Sequence, residues 1–115
     1  MSTMSAMADG IAHISFAGGG VFLPARSPYD RQLLAEHIGE RVQAKGQVQV
    51  LMGDQRWIIR RNRGAIATRC ARCGMTAATA CYLRDCDEVG YCIACAFGNA
   101  KDPVPLQRVA ERRVG

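Results

Sequence analysis

The sequence lacks the long apolar runs and the leader that mark membrane-spanning and exported proteins. No stretch approaches the roughly 18 consecutive apolar residues of a transmembrane helix. Residues 1–15 have neither a basic start nor a continuous apolar segment, as a secretory leader would. We therefore expect a cytoplasmic protein that has no membrane partner. Thiols stay reduced in that compartment, so the cysteines favour metal binding, and a secreted module with three disulfides is the rival interpretation.

Aromatic residues and lysines are also scarce. The chain has one Trp, three Tyr and three Phe, and only two of its fifteen basic residues are lysines, Lys45 and Lys101. A hydrophobic content of 49% in 115 residues still allows one domain, or a small domain with a metal-stabilised module. The net charge of +5 comes mainly from arginine, which binds phosphate and carboxylate through paired hydrogen bonds. An anionic partner is one explanation of this charge, and solubility alone is the other.

Cysteine is missing from both ends of the chain and concentrated between residues 70 and 95. Two C-x2-C pairs, Cys70/Cys73 and Cys92/Cys95, are separated by 18 residues. This spacing is typical of a four-cysteine zinc site, so we predict one tetrahedral Zn²⁺ per chain with these four thiolates as ligands. A rubredoxin-like iron site is the alternative. It usually has glycine after both pairs, whereas Ala96 follows the second pair here.

Two further cysteines, Cys81 and Cys86, lie between the pairs, and three interpretations stay open for them. They are small apolar residues of a hairpin, since free cysteine is among the most buried residue types. Alternatively, they are additional ligands in a two-zinc cluster of six cysteines, or a redox pair beside the zinc.

The segment between the pairs predicts a β-hairpin, with ATACYL and EVGYC as strands and residues 84–87 as the turn. The whole segment resembles a treble-clef zinc finger, most closely of the GATA type. The matching positions are Cys70, Cys73, Gly74, Thr76, Leu83, Arg84, Asp85, Gly90, Cys92, Ile93, Ala94 and Cys95. The resemblance covers about 30 residues, and it implies the fold of this module, its four ligands and DNA binding. Tyr82 and Leu83 stand where the family has tryptophan, and the helix segment AFGNAK has one basic residue.

The N-terminal part predicts a helix on a small antiparallel sheet. Ser27 is a suitable N-cap followed by Pro28, and Gly46 is a suitable stop. The predicted apolar face of this helix consists of Tyr29, Leu33, Leu34, Ile38 and Val42. Strands are predicted at residues 11–17, 21–25, 47–52, 56–62 and 65–69, with a turn at residues 18–20 and a three-residue loop at residues 53–55.

These elements predict an α+β protein in four parts. A disordered start covers residues 1–10, the helix-on-sheet unit covers 11–69, a treble-clef or zinc-ribbon module covers 70–101, and a basic tail covers 102–115. No linker precedes Cys70, so we expect the module to be docked on the first unit rather than tethered to it.

Arginines cluster just before and within the first cysteine pair. They are Arg56, Arg60, Arg61, Arg63, Arg69 and Arg72. A surface that follows a phosphate backbone is one interpretation, and an ordinary solvated strand face is the other. Trp57 lies among them, and we interpret it as a core residue. Asp85, Asp87 and Glu88 are interpreted as solvated turn residues rather than catalytic groups.

No catalytic constellation was found, so the sequence predicts a non-enzymatic protein without a small-molecule substrate. The favoured function is a zinc-binding protein that binds nucleic acid or acts as a regulatory accessory protein. The alternatives are a zinc-stabilised adaptor with a protein partner, and a redox protein that uses iron or the thiols of Cys81 and Cys86.

Overall fold

The computed structural model describes residues 10–62, 68–86 and 88–98, which form an antiparallel sheet with a helix on one face. The strands are β1 (Ile11–Phe16), β2 (Gly19–Pro24), β3 (Gln47–Met52), β4 (Gln55–Arg61), β5 (Thr79–Leu83) and β6 (Gly90–Tyr91). Their spatial order is β2-β1-β3-β4-β5-β6. Helix α1 spans Pro28–Lys45, and a single π-helical turn spans Ala94–Gly98. The predicted α+β class is thereby confirmed.

Both ends of α1 lie where the sequence predicts them. Ser27 Oγ accepts a hydrogen bond from the Asp30 N–H at 3.0 Å, and the Asp30 carboxylate accepts one from the Ser27 N–H at 3.3 Å. This reciprocal pair satisfies two N–H groups that the first helical turn leaves without partners. At the other end Gly46 has a φ of 86°, and its N–H donates to the Val42 carbonyl at 2.7 Å. Glycine adopts this positive φ without the steric cost of a Cβ.

The predicted apolar face of α1 is only partly right. Leu34, Ile38 and Val42 are fully buried, whereas Tyr29 and Leu33 are 69% and 45% exposed. Successive helical residues are rotated by about 100°, so positions four apart form a narrow stripe and Leu33 lies well to its side. The sheet covers that stripe alone.

The β3–β4 hairpin has a two-residue loop, so the predicted three-residue loop is wrong. Gln55 pairs with Met52 as the first residue of β4, which leaves Gly53 and Asp54 as the turn. Gly53 has a φ of 62°, a conformation that two-residue hairpin loops need and that glycine supplies.

The β1–β2 hairpin is longer than predicted, because Gly19 and Gly20 belong to β2 rather than to the turn. They pair with Phe16 and Ser15, and the turn is formed by Ala17 and Gly18. A Cβ on Gly20 would lie 3.0 Å from His13 Nε2. Glycine at this position therefore leaves room for the imidazole ring on the neighbouring strand.

The predicted hairpin of the cysteine segment forms and extends the sheet of the N-terminal part, but its second strand is only Gly90–Tyr91, shorter than the predicted EVGYC. Trp57 in β4 pairs with Leu83 in β5, and Cys81 in β5 pairs with Tyr91 in β6. The two parts of the chain therefore share backbone hydrogen bonds between β4 and β5. Such a ladder holds the cysteine segment directly on the first unit.

The core lies between α1, the sheet and the π-helical turn. Trp57 is 1% exposed, which confirms its interpretation as a core residue. Its ring meets the rings of Tyr91 and Phe97 edge-on, at centroid distances of 5.9 Å and 5.1 Å. Trp57 thus links the N-terminal strands to β6 and to the π-helical turn.

Three predicted segments lie wholly or largely outside the described residues. These are the disordered start over 1–10, the strand over 65–69 and the basic tail over 102–115. Of the predicted strand, Thr68 and Arg69 are described, and Arg69 pairs with Thr76 in an isolated antiparallel bridge.

Candidate metal centre

The first cysteine pair forms a tight loop whose amides point at one sulfur. The N–H groups of Arg72 and Cys73 both lie 3.4 Å from Cys70 Sγ. The Gly74 N–H donates to the Cys70 carbonyl at 2.8 Å, and Gly74 has a φ of 79°. The glycine after the pair therefore makes the turn that brings both sulfurs to the same side of the loop.

The second pair repeats this geometry where the sheet ends. Strand β6 runs directly into Cys92, and the N–H of Cys95 lies 3.4 Å from Cys92 Sγ. The Ala96 N–H donates to the Cys92 carbonyl at 2.9 Å as the π-helical turn begins. Amide N–H groups directed at a sulfur stabilise the thiolate form, which is the form that binds metals.

The fold brings the four paired cysteines together as the spacing predicts. The N–H of Ala71 donates to the Gly90 carbonyl at 2.9 Å, which joins the first loop to β6 just before the second pair. The Sγ atoms of Cys70, Cys73, Cys92 and Cys95 all lie within 4.8 Å of one another. The Sγ atoms of Cys73 and Cys92 are 4.0 Å apart. This cluster is consistent with a zinc-finger-like site.

The cluster lies at the boundary between core and solvent. Cys70 is buried, Cys92 and Cys95 are half-buried, and Cys73 is exposed. The π-helical turn that follows is anchored on α1, because Arg31 Nε donates to the Phe97 carbonyl at 2.8 Å. Arg31 is buried, and this burial lowers the pKa of its guanidinium. The metal centre is therefore held by β6 on one side and by α1 on the other.

The pKa values of Cys70, Cys92 and Cys95 are shifted in different directions. Burial raises the pKa of Cys70, but hydrogen bonds from backbone N–H groups, including those of Cys73 and Arg72, outweigh it and lower that pKa to about 6. Burial raises the pKa of Cys92 and of Cys95, and interactions with Cys70 raise both further. Close thiolates repel one another, so a cation is needed before all four can ionise together.

Cys81 and Cys86 lie outside the group of four. Cys81 is completely buried in β5 between strands β4 and β6, and its burial raises the pKa of its thiol. Cys86 is half-buried in the following turn, where its N–H donates to the Leu83 carbonyl at 2.9 Å. Cys81 thus has the environment of a small core residue, which is the first of the three interpretations.

The arginine cluster of the sequence is divided between the two sides of the sheet. Neighbouring residues of a strand point to opposite faces, so Arg60 and Arg61 of β4 diverge. Arg61 is on the side of α1, where its Nη2 donates to the Gln43 carbonyl at 2.7 Å. Arg60 is on the other side, with its guanidinium 4.8 Å from the centre of the Tyr82 ring. Arg56 shares that side and is exposed.

The remaining arginines belong to the first cysteine loop or lie outside the described residues. Arg69 is exposed, and its Nη1 lies 3.5 Å from the Gly74 carbonyl. Arg72 is half-buried within the loop, and Arg63 lies outside the described residues. The five described arginines of the cluster therefore do not form one row.

One face of the sheet carries apolar, aromatic and basic side chains together, which the sequence patterns did not identify. The side opposite α1, which we call the open sheet face, carries Ile11, His13, Phe22, Leu51, Arg56, Ile58, Arg60 and Tyr82. The rings of His13 and Phe22 are stacked there at 4.4 Å with an interplanar angle of 16°. The alternation in residues 11–16 was the available signal, but only the register of β1 with β2 places the two rings together.

Comparison with models of known protein families, with curated proteins and with solved structures found no match. No helix in the described part of the chain has the length and apolar character needed to cross a membrane. The fold and the site together define a small α+β protein with a four-cysteine centre suited to a metal ion.

Proposed function

We propose that Cys70, Cys73, Cys92 and Cys95 hold one structural Zn²⁺ per chain. The observation that carries this proposal is the mutual proximity of the four sulfurs, within 4.8 Å. A tetrahedral ion with Zn–S bonds of about 2.3 Å needs sulfurs about 3.8 Å apart. The 4.0 Å between the sulfurs of Cys73 and Cys92 is close to that value, so only small side-chain shifts are needed.

Zinc rather than iron is the proposed ion, and metal analysis tests the identity. Protein purified without added metal is expected to contain one zinc per chain and no visible colour. Iron with charge-transfer absorption would instead support the redox alternative. Two zincs per chain would support the six-cysteine cluster that includes Cys81 and Cys86.

We further propose that the cysteine segment is a treble-clef zinc finger that resembles the GATA type. Its order of parts supports this assignment. The first cysteine pair forms a loop, the β5–β6 hairpin follows, and the second pair begins a helical turn. Replacement of Zn²⁺ by Co²⁺ is expected to give the absorption spectrum of a tetrahedral four-thiolate site.

The proposed role of the whole protein is non-enzymatic, in nucleic-acid binding or as a regulatory accessory protein. A four-thiolate zinc site has no open coordination position for a substrate. The six strands contain no Asp or Glu, and β4 carries Arg56 and Arg60 on the open sheet face. Nucleic-acid binding predicts an affinity that falls with added salt, because counterions are released on binding.

An adaptor role is the second candidate, and a groove beside α1 favours it. The groove is bordered by Leu23, Leu33 and Leu34, and Leu33 is 45% exposed. Tyr29 on the same helix is also exposed. If a protein partner binds on this side, the protein is expected to have little affinity for nucleic acid. Leu33→Asp is then expected to abolish the complex with that partner, whereas added salt is not expected to do so.

A further inference from the structure

We propose that the open sheet face binds single-stranded nucleic acid, with bases stacked at Phe22 and His13 and phosphates bound by Arg56 and Arg60. This inference rests on the proposed nucleic-acid-binding function, and it specifies the form of the ligand and the surface that binds it.

The stacked pair of His13 and Phe22 provides a flat aromatic surface. The two rings are nearly parallel, 4.4 Å apart, and Phe22 is 57% exposed. The exposed ring of Phe22 leaves apolar surface in contact with water, and covering that surface is energetically favourable. Nucleic-acid bases cover such rings by stacking, which is tolerant of sequence because every base has a flat π face.

Strand register places an arginine in the same row as these rings. Phe22 pairs with His13, His13 with Leu51, and Leu51 with Arg56. These four side chains therefore cross the sheet on one face, over three strand spacings of about 4.8 Å, or about 14 Å in all. An extended strand of nucleic acid lying along this row can stack a base at one end and place a phosphate at the other.

A second arginine is supported on the same face. The Arg60 guanidinium lies over the Tyr82 ring, and the Tyr82 hydroxyl is 2.6 Å from Thr68 Oγ1. Tyr82 is buried, so it positions Arg60 rather than offering a ring to a base. An arginine held on an aromatic ring keeps its N–H groups available for phosphate oxygens.

Charge distinguishes the two sides of the sheet. The strands contain no acidic residue, and β4 carries Arg56 and Arg60 on the open sheet face. Helix α1 on the other side carries three acidic and three basic residues, so its formal charge is zero. A phosphate backbone is therefore attracted more strongly to the open sheet face than to the helix. In a duplex the faces of the bases are covered by their stacked neighbours, so the rings of His13 and Phe22 can stack on a base only in a single strand.

The test is a fluorescence anisotropy titration of the zinc-loaded full chain with dye-labelled oligo-dT, oligo-U and a mixed-sequence duplex. Wild-type protein is expected to bind the single strands more tightly than the duplex. Phe22→Ala is expected to weaken single-strand binding about tenfold, within the range measured for base stacking on aromatic side chains. Arg56→Ala is expected to lower the slope of log K against log salt by about 0.7, the value for one phosphate contact of a single strand.

Matched controls come from the other side of the molecule. Tyr29→Ala removes from α1 an aromatic ring whose exposure is similar to that of Phe22. Arg61→Ala removes the β4 arginine that follows Arg60 in the sequence and lies on the side of α1. Both are expected to leave binding and its salt slope unchanged. Phe22→Trp keeps a stacking surface and is expected to bind as wild type, which separates loss of stacking from loss of folding.

Three outcomes overturn different parts of the proposal. If single strands bind but Phe22→Ala behaves like Tyr29→Ala, the open sheet face is not the binding surface, and the proposed nucleic-acid function stands. If the duplex binds more tightly than either single strand, the proposed form of the ligand is wrong. If no oligonucleotide binds, the nucleic-acid function fails as well, and a protein partner becomes the better explanation.

Discussion

Cys70 is the most informative single residue of the metal centre. Its sulfur accepts hydrogen bonds from two backbone N–H groups, and its side chain is buried against the core. Cys81 has equal burial but lies outside the group of four sulfurs. A comparison of substitutions at these two positions therefore distinguishes a metal ligand from a small core side chain.

We predict that Cys70→Ser abolishes stoichiometric zinc binding, whereas Cys81→Ser retains one zinc per chain. Serine is a poor ligand for zinc in place of a thiolate, but at position 81 it only buries a hydroxyl, at a cost of about 1–3 kcal/mol. Zinc content measured after extensive dialysis distinguishes the two variants. Equal loss of zinc in both would mean that Cys81 belongs to the ligand set.

The acidity of the thiols predicts how zinc affinity depends on pH. Burial and the neighbouring Cys70 raise the pKa of Cys92 and of Cys95, so both hold protons in metal-free protein at neutral pH. Zinc must displace these protons, and its apparent affinity therefore rises with pH by at least about two log units per pH unit. Competition with a chromophoric chelator at several pH values measures the slope.

The same measurement shows where the slope changes. Cys70 has a pKa of about 6, so below that pH zinc must displace one further proton and the dependence becomes steeper. A pH-independent affinity between pH 6 and 8 would contradict this prediction, because it would mean that the thiols are already ionised without metal.

At the scale of elements, α1 shows how packing selects one stripe of an apolar helix. Leu33 and Leu34 are adjacent in sequence, but only Leu34 faces the sheet. The capping residues determine where the helix begins and ends, and the sheet determines which of its side chains are buried.

We predict that Leu34→Ala lowers the free energy of unfolding by about 2–5 kcal/mol, as expected for a fully buried leucine. Leu33→Ala is the matched control, because it makes the same chemical change at a position that is 45% exposed. We expect its effect to stay within about 1 kcal/mol, as for other surface substitutions. Urea unfolding of the two zinc-loaded variants measures both changes in the free energy of unfolding. Similar losses in both variants would mean that α1 packs on a different face.

At the scale of the whole molecule, the metal centre and the N-terminal strands share one core. Strand β5 pairs with β4, and Trp57 packs on Tyr91 and Phe97, which flank the second cysteine pair. The proposed Zn²⁺ adds its binding free energy to the folding of the cysteine segment.

We predict that zinc removal lowers the amide protection of residues 70–98 far more than that of α1 and β1–β3. Because Trp57 loses its two aromatic neighbours when that segment opens, its fluorescence emission is expected to shift to longer wavelength. Hydrogen exchange with and without a chelator measures the first effect, and emission spectra measure the second. Uniform loss of protection would show that the protein unfolds as a single unit without metal.

Sequence alone determined the features that depend on neighbouring residues. The cap at Ser27, the stop at Gly46, the β5–β6 hairpin and the four clustered cysteines all lie where spacing and turn chemistry predict them. Each depends on interactions within a turn, or on a metal-ligand spacing that is visible in the sequence.

Only the tertiary structure decided which distant residues share a face. Arg60 and Arg61 are adjacent in the sequence, yet the pleat of β4 sends them to opposite sides of the sheet. Phe22 and Arg56 are far apart in the sequence, yet pairing across β2, β1, β3 and β4 puts them in one row. Strand order and register arise from long-range hydrogen bonds and from burial against α1, and local sequence patterns do not encode them.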